Sequence, residues 1–367
     1  LFNYSKGTGF MDNILEFLLE KGGCSIRYRI KREILHEDKT SSEMAALQDE
    51  IMNRPKVRKI LAAQHDDGWI GKELHGGPVQ GLDSSVAYLL SRGVERDSVP
   101  MKKVVQALLA DKKEEKPYRT TFPGGEAMDA GGRGGNKAVI AGVLADLGEE
   151  NNQFVQDELK TAITYLKDSL SYNTIDDFSA TNKKGVRYYK EDAHFPGSNH
   201  LNLLSAAQCW RTPENIELVK TSLCHCMKIM KNYNHNIMFK TSTHFVGPFN
   251  FNWSLYNFSI EDINQDSYEL VWWLRSLYKL STLGLVREKP EFRNAYDYLY
   301  QLVISEDILK KQNDKSLKRF KDILSIEDGW RNEASIFCDI IFYGIIILYN
   351  AGYNIFSFNE YDCCAKR

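Results

Sequence analysis

The sequence predicts an all-α protein built from a repeated helix pair. Three observations carry this. Helices of two kinds alternate along the chain, one amphipathic and the other apolar nearly all round. An Asp-Gly-Trp turn precedes an apolar helix twice, as Asp67-Gly68-Trp69 and as Asp328-Gly329-Trp330. Period-2 stretches of β-branched residues are scarce, so little sheet is expected.

In chain order, residues 11–19 place Ile14, Leu15, Phe17, Leu18 and Leu19 at helical spacing. Residues 25–35 follow, with Ile26, Tyr28, Ile30 and Ile34 interleaved with Arg27, Arg29, Lys31 and Arg32, and 43–52 come next. The amphipathic helices then fall at 57–63, 102–110, 154–170, 216–230, 292–303 and 317–324. The apolar ones fall at 84–90, 138–147, 201–210, 268–280 and 336–349. A helix apolar on every side must be covered on every side. A ring of such helices enclosed by a ring of amphipathic ones meets that need. The inner helices begin near residues 83, 136, 199, 266 and 335. These offsets, roughly 50–70 residues, exceed those of common solenoids, with the excess in loops. Segment 25–35 is the candidate sixth inner helix, with 43–52 or 11–19 as its outer partner.

The bulk properties fit a large core and exclude some partners. Of 367 residues, 43% are hydrophobic, and the formal net charge of −2 gives no electrostatic case for nucleic acid. Cysteines 24, 209, 224, 226, 338, 363 and 364 are odd in number and scattered. That argues against a disulfide framework and for a reducing, cytoplasmic setting. The longest apolar run, 340–348, is interrupted by Tyr343 and Gly344 and is too short to span a membrane. Met11 opens a helical pattern and no signal peptide precedes it. Residues 1–10 therefore read as a disordered or non-native leader, and 11–367 as a single domain.

Gln64-His65-Asp66-Asp67-Gly68-Trp69 resembles the Gln/Trp repeat motif of squalene–hopene cyclases and their relatives, and Asp328-Gly329-Trp330 resembles a degenerate copy without the Gln. The wider pattern includes Ser25-Ile26-Arg27-Tyr28-Arg29 and His194-Phe195-Pro196-Gly197-Ser198-Asn199-His200. It resembles bacterial squalene-cyclase-like and protein-prenyltransferase-like proteins from about residue 25 onward. The resemblance implies an α/α toroid of about six inner and six outer helices. It does not carry the families' catalytic signatures. No Asp-x-Asp-Asp acid is present, Asp176-Asp177 is followed by Phe-Ser-Ala, and Asp362-Cys363-Cys364 has no later His for zinc. The Gln/Trp motif ties helices together and performs no reaction.

Candidate chemistry gathers in the loops before the inner helices, because successive antiparallel pairs put every inner N-terminus at one end. The expected catalytic residues are Asp83, His194, His200 and Asp266; the expected substrate-binding residues are His75, Arg133, His244, Phe249, Trp253 and Trp272. The bland reading of Asp83 and Asp266 is helix capping; the sharper one is a cavity carboxylate whose burial raises its pKa. Arg133, between Gly131-Gly132 and Gly134-Gly135, is either the centre of a cradle for phosphate, diphosphate or carboxylate, or an exposed turn residue. Four of the eight histidines lie in these loops, which suits proton transfer or a metal assembled across loops, although no pair has helical i,i+4 ligand spacing. His225, between Cys224 and Cys226, reads as structural. The aromatics of 245–256 line a cavity or pack as a lid.

The expected function is binding of an apolar or isoprenoid-like small molecule, with an anionic head, in a central cavity. No cofactor, metal, nucleic acid or membrane span is expected. Two alternatives stay open. A carbohydrate-active hydrolase or lyase would show two carboxylates facing each other ~5–10 Å apart across a groove. A non-catalytic interaction scaffold would show a filled barrel.

Overall fold

A computed structural model describes residues 10–110, 116–131, 133–230, 237–241, 245–246, 267–284, 290–304, 326, 333–353 and 355. Helix accounts for 61% and strand for 6%, in line with an all-α chain. The helices are α1 (Phe10–Lys21), α2 (Cys24–Arg29), α3 (Ser42–Met52), α4 (Pro55–Leu61), α5 (Leu82–Ser91), α6 (Val99–Leu109) and α7 (Gly125–Ala130). They continue with α8 (Asn136–Asp146), α9 (Gln153–Ser169), α10 (Ile175–Phe178), α11 (Ser198–Ala206) and α12 (Pro213–Ile229). The last are α13 (Ser267–Thr282), α14 (Pro290–Ile304) and α15 (Glu333–Asn350). Two short antiparallel pairs complete the set: β1 (Ser179–Thr181) with β2 (Arg187–Tyr189), and β3 (Phe239–Lys240) with β4 (Phe245–Val246). Among the described residues, no helix is long and apolar enough to cross a membrane.

Local chemistry sets the helix starts. Proline occupies the first turn of α4, α6 and α12, where its missing N–H costs nothing. Asn152 Oδ1 accepts from the Phe154 N–H (3.0 Å) to cap α9, and Thr212 Oγ1 accepts from the Asn215 N–H (3.2 Å) to cap α12.

The chain divides into two compact units, one from Leu1–Met52 with Ser259–Arg367 and the other from Asn53–Phe258. In the first, the apolar α15 packs against α1, α2, α13 and α14. Gly344 lets it lie close against α14, since a Cβ there would fall 2.4 Å from Val303 Cγ2. Segment 25–35 is not one uniform helix: α2 passes into a π-helical turn, Ile30–Ile34, and stops at His36 with a positive φ of 56°. Across that junction the buried Arg29 binds Glu33 through Nε (2.5 Å) and Nη2 (2.8 Å) and lies 4.9 Å over the Phe342 ring.

In the second unit the apolar helices α5, α8 and α11 pack in sequence order, α5 on α8 and α8 on α11. The amphipathic α9 and α12 pack on each other, and α9 covers α8 and α11. On α8 every residue from Ala138 to Ala145 is buried, as its all-round apolar sequence requires. The helix expected over 201–210 stops at Ala206. The Glu150 carboxylate takes the N–H groups of Gln208 and Cys209, and the chain leaves the helix at Ala207 with ψ 148°.

The Gln64–Trp69 motif is a brace inside this unit. Gln64 Nε2 donates to the carbonyls of Gly68 and Pro100, both at 2.9 Å, tying the turn to the start of α6. Gly68 has φ +99°, and a Cβ there would fall 2.1 Å from the Lys103 carbonyl oxygen, so only glycine fits. Trp69 is buried at 1% exposure. The motif's second copy, at 328–330, lies outside the described residues.

Candidate functional site

The site grows from two loop segments of the second unit, before α8 and before α11, and from the end of α9. The glycine-rich loop ends at Gly135, the N-cap of α8. A helix N-terminus favours an anion, and one is present from the chain itself. Asp129 Oδ1 accepts from the Lys137 N–H at 3.1 Å, and Asn136 also donates to this carboxylate. Burial pushes the Asp129 pKa up, partly countered by those donors. The backbone cradle expected around Arg133 is thus filled by Asp129.

Arg133 points elsewhere and is buried, not an exposed turn residue. Its Nη2 donates to the carbonyls of Lys190 and of Glu191, the latter at 2.6 Å. Its guanidinium lies 5.8 Å and 5.7 Å from the Tyr189 and Phe239 ring centres. It also folds against Gly131, where a Cβ would come within 3.2 Å of Nε. Burial lowers its pKa, but a guanidinium keeps its charge in any case. Among the described residues the Glu191 carboxylate acts on Arg133 only electrostatically, from beyond ion-pair contact, and Nε meets no acceptor.

His200 lies in the first turn of α11 with its ring against Gly134, whose φ of +69° turns the chain away. A Cβ on Gly134 would meet Nε2 at 3.2 Å. His200 Nδ1 accepts from the Gly197 N–H at 3.2 Å, so the hydrogen of the neutral ring is assigned to Nε2. Burial pushes its pKa down to about 4. Nε2 meets no acceptor among the described residues.

Tyr165 joins these parts. Its hydroxyl donates to the Gly131 carbonyl at 2.5 Å. Its ring lies 5.2 Å from the His200 ring and stacks on His194 at 4.4 Å and 24°. One helical turn further, Asp168 Oδ2 meets His194 Nδ1 at 2.6 Å. The Tyr172 hydroxyl accepts from the His194 backbone N–H at 2.9 Å, and the Tyr172 carbonyl meets His225 Nε2 at 2.7 Å, a structural place for His225.

The structure therefore brings Arg133, His194 and His200 together. His75 and Asp83 form a pair of their own, Nδ1 to Oδ2 at 2.5 Å, and this bond to Asp83 raises the His75 pKa. Asp83 is the second residue of α5, whose N-cap is Gly81. Phe122, 5.2 Å from the His75 ring, lines a cavity of about 320 Å³ with Arg119, Thr121, Pro123, Gly124 and Glu126. His244, Phe249, Trp253 and Asp266 lie outside the described residues; Trp272 belongs to α13, in the other unit.

Sequence reasoning missed Tyr165 and Asp168, because α9 was read only as an outer amphipathic helix. The available signal was their spacing of three, which puts them on one helical face. Among the described residues, no group of three His, Cys, Asp or Glu side chains is placed to hold a metal ion. The chain matches no protein-family model, no curated protein and no solved structure.

Proposed function

We propose that this chain binds a small molecule with an apolar body and an anionic, oxygen-bearing head on an α/α toroid of the terpene-cyclase and prenyltransferase type. The head sits at Arg133 and His200. The toroid part is supported by the packing order: α5, α8 and α11 follow one another as inner helices would, with α9 covering α8 and α11. The ligand part is carried by one observation. Two buried N–H donors, Arg133 Nε and His200 Nε2, lack acceptors among the described residues, and the Glu191 carboxylate acts on the guanidinium only from beyond ion-pair contact. A buried donor left unmade costs about 1–3 kcal/mol. Ligand oxygens that accept from them recover that cost, and charged ones also answer the guanidinium.

Titration calorimetry at fixed salt with farnesyl diphosphate, inorganic diphosphate and farnesol tests the reading. Farnesyl diphosphate, with both halves, is expected to bind more tightly than either part. His200→Phe fills the ring's space without a donor and is expected to weaken that binding about tenfold or more, the worth of one hydrogen bond to a charged group. His200→Gln, which retains an N–H, recovers part of it. Binding unchanged by His200→Phe, or no binding of farnesyl diphosphate, defeats the proposal.

A further inference from the structure

We infer that the same loop cluster transfers protons, with His194 as the group that exchanges a proton with the bound ligand and Asp168 as the residue that positions it. This rests on the binding reading above. Asp168 Oδ2 accepts at 2.6 Å from His194 Nδ1, since a carboxylate has no hydrogen to give. The hydrogen of the neutral ring is thereby assigned to Nδ1 and a lone pair to Nε2. The backbone of His194 is held by Tyr172 and its ring by the face of Tyr165. Two restraints on the ring and one on the backbone thus fix a side chain that is still 41% exposed. A ligand can reach such a ring, and a solvated surface histidine has no need of them.

His200 is wired the opposite way. The Gly197 N–H occupies its Nδ1, so Nε2 carries the hydrogen and can only donate. Both imidazoles contact the ring of Tyr165, one assigned as base and the other as neutral donor. Opposed roles for like side chains, set by their partners, are what acid–base chemistry at one site requires. In the forward step His194 Nε2 takes a proton from an O–H or C–H next to the ligand's oxygen head. The ligand keeps the bonding pair, and its negative charge is held by the Arg133 and His200 N–H groups. The imidazolium charge is held by Asp168. Return of the proton from Nε2 to product or water restores the neutral ring. The substrate class is therefore a compound whose deprotonation leaves charge on that oxygen.

The test uses the full chain with ¹⁵N-labelled histidine, at a pH where imidazole is neutral, with His194 assigned by loss of its signals in His194→Gln. The expected spectrum shows His194 as the Nδ1–H tautomer. Asp168→Ala shifts it to the Nε2–H tautomer and slows its carbethoxylation by diethyl pyrocarbonate several-fold. Asp168→Asn, which still accepts at Oδ1, restores both. Farnesyl diphosphate is expected to shift the Nε2 resonance and to block carbethoxylation. A wild-type Nε2–H tautomer overturns the inference. Farnesyl diphosphate that calorimetry shows bound but that leaves His194 unshifted and reactive overturns it while the binding reading stands. Absence of calorimetric binding overturns both.

Discussion

Trp69 lies flat on Tyr118, with ring centroids 4.3 Å apart and planes within 5° of parallel. The contact joins the Asp-Gly-Trp turn to the segment leading into the glycine-rich loop, some fifty residues on. Asp67 completes the joint, accepting from the Tyr118 hydroxyl at 2.6 Å and from the Trp69 N–H at 3.2 Å. The motif thus fixes where the loop carrying Arg133 begins, without contributing a reacting group.

Trp69→Ala is expected to destabilise the chain by about 3–5 kcal/mol, the range for truncating a large buried aromatic. Trp69→Phe costs less, because the indole N–H has no acceptor among the described residues and no hydrogen bond is lost. Urea denaturation gives both values. Ligand binding by folded Trp69→Ala protein is expected to match wild type. A stable Trp69→Ala protein that has lost binding would move Trp69 from the brace to the site.

Asp67 gives the brace an acid sensitivity. Burial alone would raise its pKa. Hydrogen bonds from Tyr118, the Trp69 N–H and Lys116 outweigh burial, and the pKa is lowered from 3.8. The stabilisation is therefore complete above the unfolded carboxyl's titration and is lost as pH falls through the lower folded value. Asp67→Asn is expected to be less stable than wild type at neutral pH and to approach it below about pH 4. Denaturation midpoints collected across that range decide it; a gap that stays constant with pH would contradict the assignment.

Arg133 is expected to matter to stability as well as to binding. Arg133→Ala removes two bonds from a charged group to the carbonyls of Lys190 and Glu191, each worth about 1.5–3 kcal/mol. Arg133→Lys does not rescue them fully, since an ammonium cannot reproduce the planar fork or its place against the Tyr189 and Phe239 rings. Thermal denaturation, with hydrogen exchange across 187–193, reads the effect. An Arg133→Ala protein with unchanged stability and exchange would return Arg133 to the exposed turn residue of the sequence reading.

The helices were legible because burial imposes periodicity: α8, apolar on all sides, is buried along nearly its whole length, and the Gln64–Trp69 motif is a brace as its composition implies. The site was legible only in part. His194, His200 and Arg133 were found because loops before inner helices concentrate polar residues. Their roles were not, because a role depends on the partner. Asp168 sits 26 positions before His194, and Asp129 fills the helix end that the glycines around Arg133 left open. No local pattern marks either. The early end of α11 had the same cause, since Glu150, far back in the chain, takes the N–H groups that another turn of helix would have used.

The neutral state of His200 sets a second, higher pH window. Burial pushes its pKa down to about 4 from an unfolded value of 6.5. Between those values the unfolded chain binds a proton that the folded ring refuses, so stability falls as pH drops from 6.5 toward 4. The shift is worth on the order of 3 kcal/mol, at 1.36 kcal/mol per pKa unit. His200→Phe has no ring to protonate. The stability difference between wild type and His200→Phe is therefore expected to move in the variant's favour as pH falls from 6.5 to 4, and to be flat from pH 7 to 9. This window lies above that of Asp67, so the two contributions separate in one pH series of urea titrations. A difference that is flat through both ranges would mean that His200 titrates as it does in the unfolded chain. The buried, donor-only role given to it at the site would then fail.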